Sequence, residues 1–237
     1  MTERSRSALT RSASALSIGP SALSWNGRWL DIEIDEMANP LPRHVKGRVR
    51  VHPPGLSRFH VALDAAGRHR WGPISACARV EVEMQSPALR WQGSAYFDSN
   101  EGDEPITTPF ERWDWLRAPL ADGSTAVVYD VQPKLGPERV IAARFLPDGR
   151  AEPFEAAPRR ALPRSSWLVA RASRSDAAAA APRVLRTLED TPFYARSLID
   201  ATLCGERVVA MHESISLPRL DSTAVRMLLP WRMPRRG

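Results

Sequence analysis

Residues 96–105 read YFDSNEGDEP and set Asp98, Glu101, Asp103 and Glu104 behind a Tyr-Phe pair. Four carboxyls this close repel one another when ionised. The stretch is therefore a solvated turn, a metal loop or the seat of a catalytic acid. Read as a calcium loop starting at Asp98, it has Asn100 at position 3 but Gly102 at position 5 and Pro109 at position 12, where ligands are required. Calcium is set aside. On a β-strand Tyr96 and Asp98 point to one face, and so do His69 and Trp71 in the run RHRW. If the two strand ends lie side by side, they bring together a carboxyl, an imidazole, an indole and a phenol. Crowding by carboxylates and aromatic walls would raise the pKa of Asp98 and favour a proton donor at neutral pH. A plainer arrangement fits the same spacing: Asp98 and Asn100 cap a turn, Trp71 is core and His69 ends an exposed strand. Spacing alone leaves both open.

Other chemistry is hard to find. His44, His52, His60, His69 and His212 form no HxH, HExxH or HxxxH pair with a matching carboxylate. Cys77 and Cys204 are far apart with no CxxC, so neither a zinc site nor a disulfide framework is indicated, and both are expected reduced in a cytosolic protein. GxSxG, Walker and GxGxxG motifs are absent. The net charge is +6, and Lys46 and Lys134 are the only lysines among 33 basic residues. Such a surface attracts phosphates, but no basic run interleaved with aromatics and no helix-turn-helix spacing supports nucleic-acid binding. The N-terminus MTERSRSALTRSASALSIGP has no apolar run of signal-peptide length.

The elements that must position these residues read as strands. Apolar side chains alternate in 29–34, 47–51, 79–84, 125–131, 139–145 and 206–211, and 89–97 reads as a strand ending where the acidic stretch begins. Asn26-Gly27, Ala66-Gly67, Asp122-Gly123 and Asp148-Gly149 punctuate them, the Asp-Gly pairs as hairpin signals. Many short strands with such turns predict an antiparallel β-sandwich or barrel. One or two short helices are expected, over 3–16 and over 192–202 with Pro192 in the first turn.

The segment WQGSAYFDSNEGDEPITTPFERWDWLRA, residues 91–118, resembles the carotenoid 1,2-hydratases, also called hydroxyneurosporene synthases. Agreement continues through LSIGPSAL (16–23), GRHRWGPI (67–74), RTLEDTPFYARSL (186–198), HESISL (212–217) and LPWRMPR (229–235). The resemblance implies a lipocalin-like β fold and addition of water to the terminal double bond of acyclic carotenoids such as neurosporene or lycopene, without a cofactor. By motif it carries a functional quartet onto His69, Trp71, Tyr96 and Asp98, the four residues that strand parity had grouped. In that reading Asp98 is the general acid, Trp71 and Tyr96 face the cation, and His69 either orients Asp98 or accepts a proton from water. Trp113 and Trp115 are expected as core or pocket wall. Arg117 is expected to pair with one of Glu101, Asp103 or Glu104, with Asp103 and Glu104 supporting the site from behind.

Residues 1–155 are expected to form the central part of a β domain carrying the quartet. Residues 165–237 would complete a lipocalin-like domain, with 156–164 and 172–182 as connectors, the second of them flexible. In the resembled family a segment like MTERSR lies well inside the chain, so an N-terminal part is expected to be missing and the pocket to be incomplete. A polyene-binding protein that does not turn its ligand over is the alternative; an isomerase or cyclase is a third, disfavoured by the intact quartet. The substrate places the work at a cytoplasmic membrane face, with arginines drawing the protein to anionic lipid.

Overall fold

A computed structural model describes residues 2–38, 41–176, 180–228 and 233–235. Its strands are β1 (Thr2–Arg4), β2 (Leu9–Arg11), β3 (Ala15–Ile18), β4 (Ser21–Trp25), β5 (Leu30–Met37), β6 (His44–His52), β7 (Val61–Ala62), β8 (His69–Ser86), β9 (Ala88–Gly102) and β10 (Phe110–Pro119). They continue with β11 (Thr125–Pro133), β12 (Arg139–Phe145), β13 (Ala151–Pro153), β14 (Arg159–Leu162), β15 (Arg171–Arg174), β16 (Arg183–Asp190), β17 (Tyr194–Leu203), β18 (Glu206–Ser216) and β19 (Met233–Arg235). Two short helices follow β18, α1 (Leu217–Asp221) and α2 (Thr223–Leu228). The expected mostly antiparallel, lipocalin-like β class holds, and the hydrogen-bonded strand orders are open rather than closed. No helix among the described residues is long and apolar enough to cross a membrane.

The chain forms two compact units, Met1–Pro54 with Ala78–Tyr96 and Met227–Gly237 in one, Gly55–Cys77 with Phe97–Arg226 in the other. In the first unit β2 to β6 pair in sequence order, and β6 pairs with residues 79–86 of β8. Val51, Ala78, Val80 and Val82 are its buried core, with Leu30, Ile32 and Val49 packed against them.

The second unit is built on a seven-stranded sheet in the order β13-β12-β11-β10-β18-β17-β16. Asp122-Gly123 and Asp148-Gly149 make its tight turns as expected, with φ of 83° at Gly123 and 90° at Gly149, a conformation that favours glycine. Antiparallel register gives this sheet two chemically different faces. One carries Tyr129, Trp113 and Trp115. The other buries Leu116, Ala118, Ala126, Val128, Ile199, Ala201 and Ala210 beneath the β14–β15 hairpin, whose Leu162 joins that core.

Two local expectations fail. The stretch 3–16 is not a helix but β1, a 3-10 turn at Arg6–Ala8, β2 and the start of β3. Ser12 turns the chain there by accepting the Ala15 N–H at 3.0 Å, and Leu9 pairs across from Ile18. The stretch 192–202 is not a helix but, from Tyr194 onward, strand β17, in which Ala195, Ser197, Ile199 and Ala201 are all buried on alternate positions. Pairing on both edges overrides the local helical signal. In the two segments expected as connectors, residues 159–162 and 172–174 are paired strands; residues 177–179, and residues 229–232 of the last quoted motif, lie outside the described ones.

On the hairpin side His212 is fully buried and gives its Nε2 hydrogen to the Ala172 carbonyl at 2.8 Å, which fixes the tautomer. Burial holds this imidazole below its ordinary pKa, against the pull of Asp114 at 3.9 Å; the Arg171 guanidinium pushes the same way as burial. A folded-state value below the unfolded one of about 6.5 means that stability is full above that pH and falls as the pH drops through it. Urea midpoints are expected to fall between pH 8 and pH 5.5, and His212→Gln to flatten that slope. An unchanged slope in the variant would assign the dependence to another group.

Candidate active site

Strands β8 and β9 pair, and within the second unit the first residues of β8 meet the last residues of β9. The Asp103 N–H donates to the Arg68 carbonyl at 3.0 Å, which fixes the register of the acidic stretch against the His-x-Trp run. Trp71 lies opposite Val61 on β7, is fully buried, and its indole Nε1 donates to Asp98 Oδ2 at 2.9 Å. Thus the acid and the indole singled out by strand parity do meet. Asp98 itself is half-buried. Tyr96 is also half-buried, on β9 two residues before Asp98 and in the other compact unit.

His69 is 2% exposed and its backbone N–H donates to Asp64 Oδ1 at 2.7 Å. Its ring stands edge-on to Phe110 at 5.0 Å, with Nε2 3.9 Å from Glu104 Oε1. Gly102 permits this packing, because a Cβ there would lie 2.7 Å from His69 Nδ1 and 2.8 Å from Cε1. The Trp71 indole thus holds one oxygen of Asp98, while His69 packs against the end of the acidic stretch at Gly102.

The remaining carboxyls are braced. Glu104 pairs with Arg68 at 3.0 Å, Asp103 lies 3.7 Å from Arg70, and Glu101 accepts from Ser99 at 3.2 Å. Arg68 and Arg70, which flank His69, supply the bracing cations for Glu104 and Asp103. Arg117, expected in that role, lies on β10 between Val127 of β11 and Met211 of β18.

Behind Trp71 stands an aromatic wall. Tyr129 meets its ring at 5.4 Å and 85°, with Phe59 at 6.1 Å and Phe145 at 6.3 Å, all near edge-to-face. Trp113 packs edge-on against Tyr129 at 6.0 Å and against Phe110 at 5.9 Å. Trp115 is buried directly across from Tyr129. Both tryptophans, expected as wall or core, lie on the Tyr129 face of the sheet. Tyr129 escapes notice in the sequence, where it reads as one more apolar position in TAVVYDV. Burial, and then the nearby carboxylates of Asp98 and Glu213, push the Tyr129 phenol far above its ordinary pKa, so it stays neutral. An acid held by an indole against a dry aromatic wall is an arrangement suited to making and sheltering a cation.

The family model for the carotenoid hydratase CrtC matches residues 1–237. An acyclic carotenoid 1,2-hydratase from Rubrivivax gelatinosus is 56% identical over 237 residues, covering 100% of this chain and 58% of the relative. One from Thiocapsa roseopersicina is 46% identical, with the same 100% and 58% coverage. One from Cereibacter sphaeroides is 36% identical and is covered over 84% of its length. The chain thus spans 58% of the length of the first two curated relatives. A crystal structure from Nitrosomonas europaea, of a protein provisionally designated AttH, superposes with a TM-score of 0.55 at 13% identity over 90% of this chain and 72% of that one. At that identity the likeness speaks for the fold alone.

Proposed function

The chain belongs to the carotenoid hydratase CrtC family, and on that premise we propose that it adds water across the terminal 1,2 double bond of an acyclic carotenoid such as neurosporene or lycopene. The observation that carries this reading is the 2.9 Å bond from the Trp71 indole to Asp98 within an aromatic wall. Asp98, held at Oδ2 by the indole, is the protonated acid and gives its proton to the less substituted alkene carbon. The π electrons form the new C–H bond and leave a tertiary cation at the other carbon. That cation gains roughly 2 kcal/mol or more from a desolvated aromatic face, and Trp71 and Tyr129 are the rings of this unit available to it. Water then adds to the cation, and the oxonium so formed gives up one proton, which ends in solvent, to leave the alcohol. His69, gripping Gly102 and facing Glu104, positions the stretch that bears Asp98.

The test is production of this chain in a bacterium that accumulates neurosporene or lycopene, with mass spectrometry of the extracted pigments. Product heavier by one or two waters is expected. In the same cells the protein is expected to sediment with membranes at low salt and to leave them at high salt, through its arginines. Because the chain spans 58% of its first relatives, a carrier is the second reading. Bound, unaltered pigment on a folded chain would select it and reject hydration.

A further inference from the structure

On the aromatic face of the seven-stranded sheet one row of cross-strand partners runs without a break. Ile141 lies opposite Tyr129, Tyr129 opposite Trp115, Trp115 opposite Glu213, Glu213 opposite Arg196 and Arg196 opposite Glu189. The row starts dry and ends wet. Tyr129 is 2% exposed and Trp115 8%, whereas the side chains of Glu213 and Arg196 are 25% and 42% exposed. Arg196 Nε donates to Glu213 Oε1 at 2.9 Å, and the same guanidinium lies 5.6 Å from the centre of the Tyr194 ring. A carboxylate one strand beyond the aromatic wall, on the wall's own face, has no part in the chemistry assigned so far.

We propose that Glu213 holds the nucleophilic water of the hydration. This rests on Asp98 as the acid, and it supplies what the dry end of the row lacks, an anionic group able to orient water and take its proton. Neighbouring strands lie about 4.8 Å apart, so Glu213 stands about 10 Å along the sheet from Tyr129. The carboxylate charge of Glu213 acts on the Tyr129 hydroxyl, as that of Asp98 does, so both are within electrostatic reach of the same phenol. Arg196 engages Oε1, the Tyr194 phenol lies beside the same carboxylate, and the carboxylate accepts a hydrogen bond from the water. The water lone pair forms the C–O bond to the cation, and the oxonium proton passes to the Glu213 carboxylate and on to solvent at its exposed edge. Asp98 regains one proton from solvent. One proton enters at Asp98 and one leaves at Glu213, and the sum is alkene plus water.

The consequence is a separation of two steps that Asp98 alone would tie together. The assay is run in heavy water with the chain and an acyclic carotenoid in detergent micelles, following both hydration and deuterium in the recovered substrate. In Glu213→Gln the alkene is still protonated, but the cation has no positioned water and returns by losing a proton. Hydration is expected to fall by about 10²-fold or more while deuterium in unreacted carotenoid is retained or rises. Hydration at the original rate, or hydration and exchange lost together in a variant that melts like the parent, would overturn the proposal. Should Glu213→Gln not fold, Glu213→Asp withdraws the carboxyl by one methylene. It must then lower the ratio of hydration to exchange, and an unchanged ratio overturns the assignment. Asp98→Asn is the separating control: exchange surviving in it would refute the acid assignment, whatever Glu213 does.

Discussion

Asp98→Asn is expected to lower carotenoid hydration by about 10²–10⁴-fold, the range that a positioned general acid supplies, without a matching loss of stability. Asparagine keeps the shape of the side chain and an oxygen to accept the Trp71 indole hydrogen, so the 2.9 Å contact and the wall behind it remain. What disappears is the transferable proton. Hydrated product measured against folded protein, beside the thermal midpoint of each, makes the check. A variant that hydrates within about tenfold of the parent would move the acid to another group, since tenfold is only about 1.4 kcal/mol of barrier. The pH dependence gives an independent arm. An obligatory protonated carboxyl makes hydration decline as pH rises through its pKa, and that limb should be absent from any activity left in Asp98→Asn.

Much of this site is legible in the chain, for a definite reason. Strand parity fixes which face a residue takes, so His69 with Trp71, and Tyr96 with Asp98, are grouped before any fold is known. Parity says nothing about which strands touch. The meeting of β8 and β9 is set by long-range pairing, which is why the spacing fitted a capped turn as well as a catalytic acid. Gly102 shows the limit well. In the sequence it reads as a turn residue, whereas in the structure its missing Cβ makes room for the His69 ring. Arg68 and Arg70 are equally visible, alternating with His69 and Trp71, but only the meeting of β8 and β9 brings them to Glu104 and Asp103. Tyr129 and Glu213 were hidden differently. Each sits in a run whose alternation is explained by the core, and only the register across β11, β10 and β18 puts them in one row. The β17 strand was misread because Ala195, Ser197 and Ala201 are weak markers of burial, while Pro192 imitates a helix start.

The second large effect lies on the opposite face of the same strand. Asp114 sits between Trp113 and Trp115 on β10, only 5% exposed, and faces Asp130 across the β10–β11 pair. Two buried carboxylates opposite one another would be destabilising on their own. The hairpin answers with its own cross-strand pair, Arg159 opposite Arg174, so that Arg159 bonds Asp114 and Arg174 bonds Asp130 at 2.8 Å. Asp114 also accepts from Ser214 and from the Ala172 N–H at 3.2 Å, tying β10, β18 and β15 together. Asp114→Ala leaves Arg159 with the longer Glu138 contact at 3.8 Å and strands the Ser214 and Ala172 donors. Removing one partner of a buried pair costs about 3–5 kcal/mol; Arg159 keeps 24% exposure, which favours the lower end. Urea unfolding should show this loss, and Arg159→Met added to it should restore part, as coupled partners do. A loss under about 1 kcal/mol would mean that the hairpin is held by its apolar contacts through Leu162 instead. Hydration should suffer with stability, because the backbone that presents Asp114 to the hairpin presents Trp113 and Trp115 to the wall beside Tyr129. The clamp on one face of β10 thereby sets how firmly the aromatic face is held.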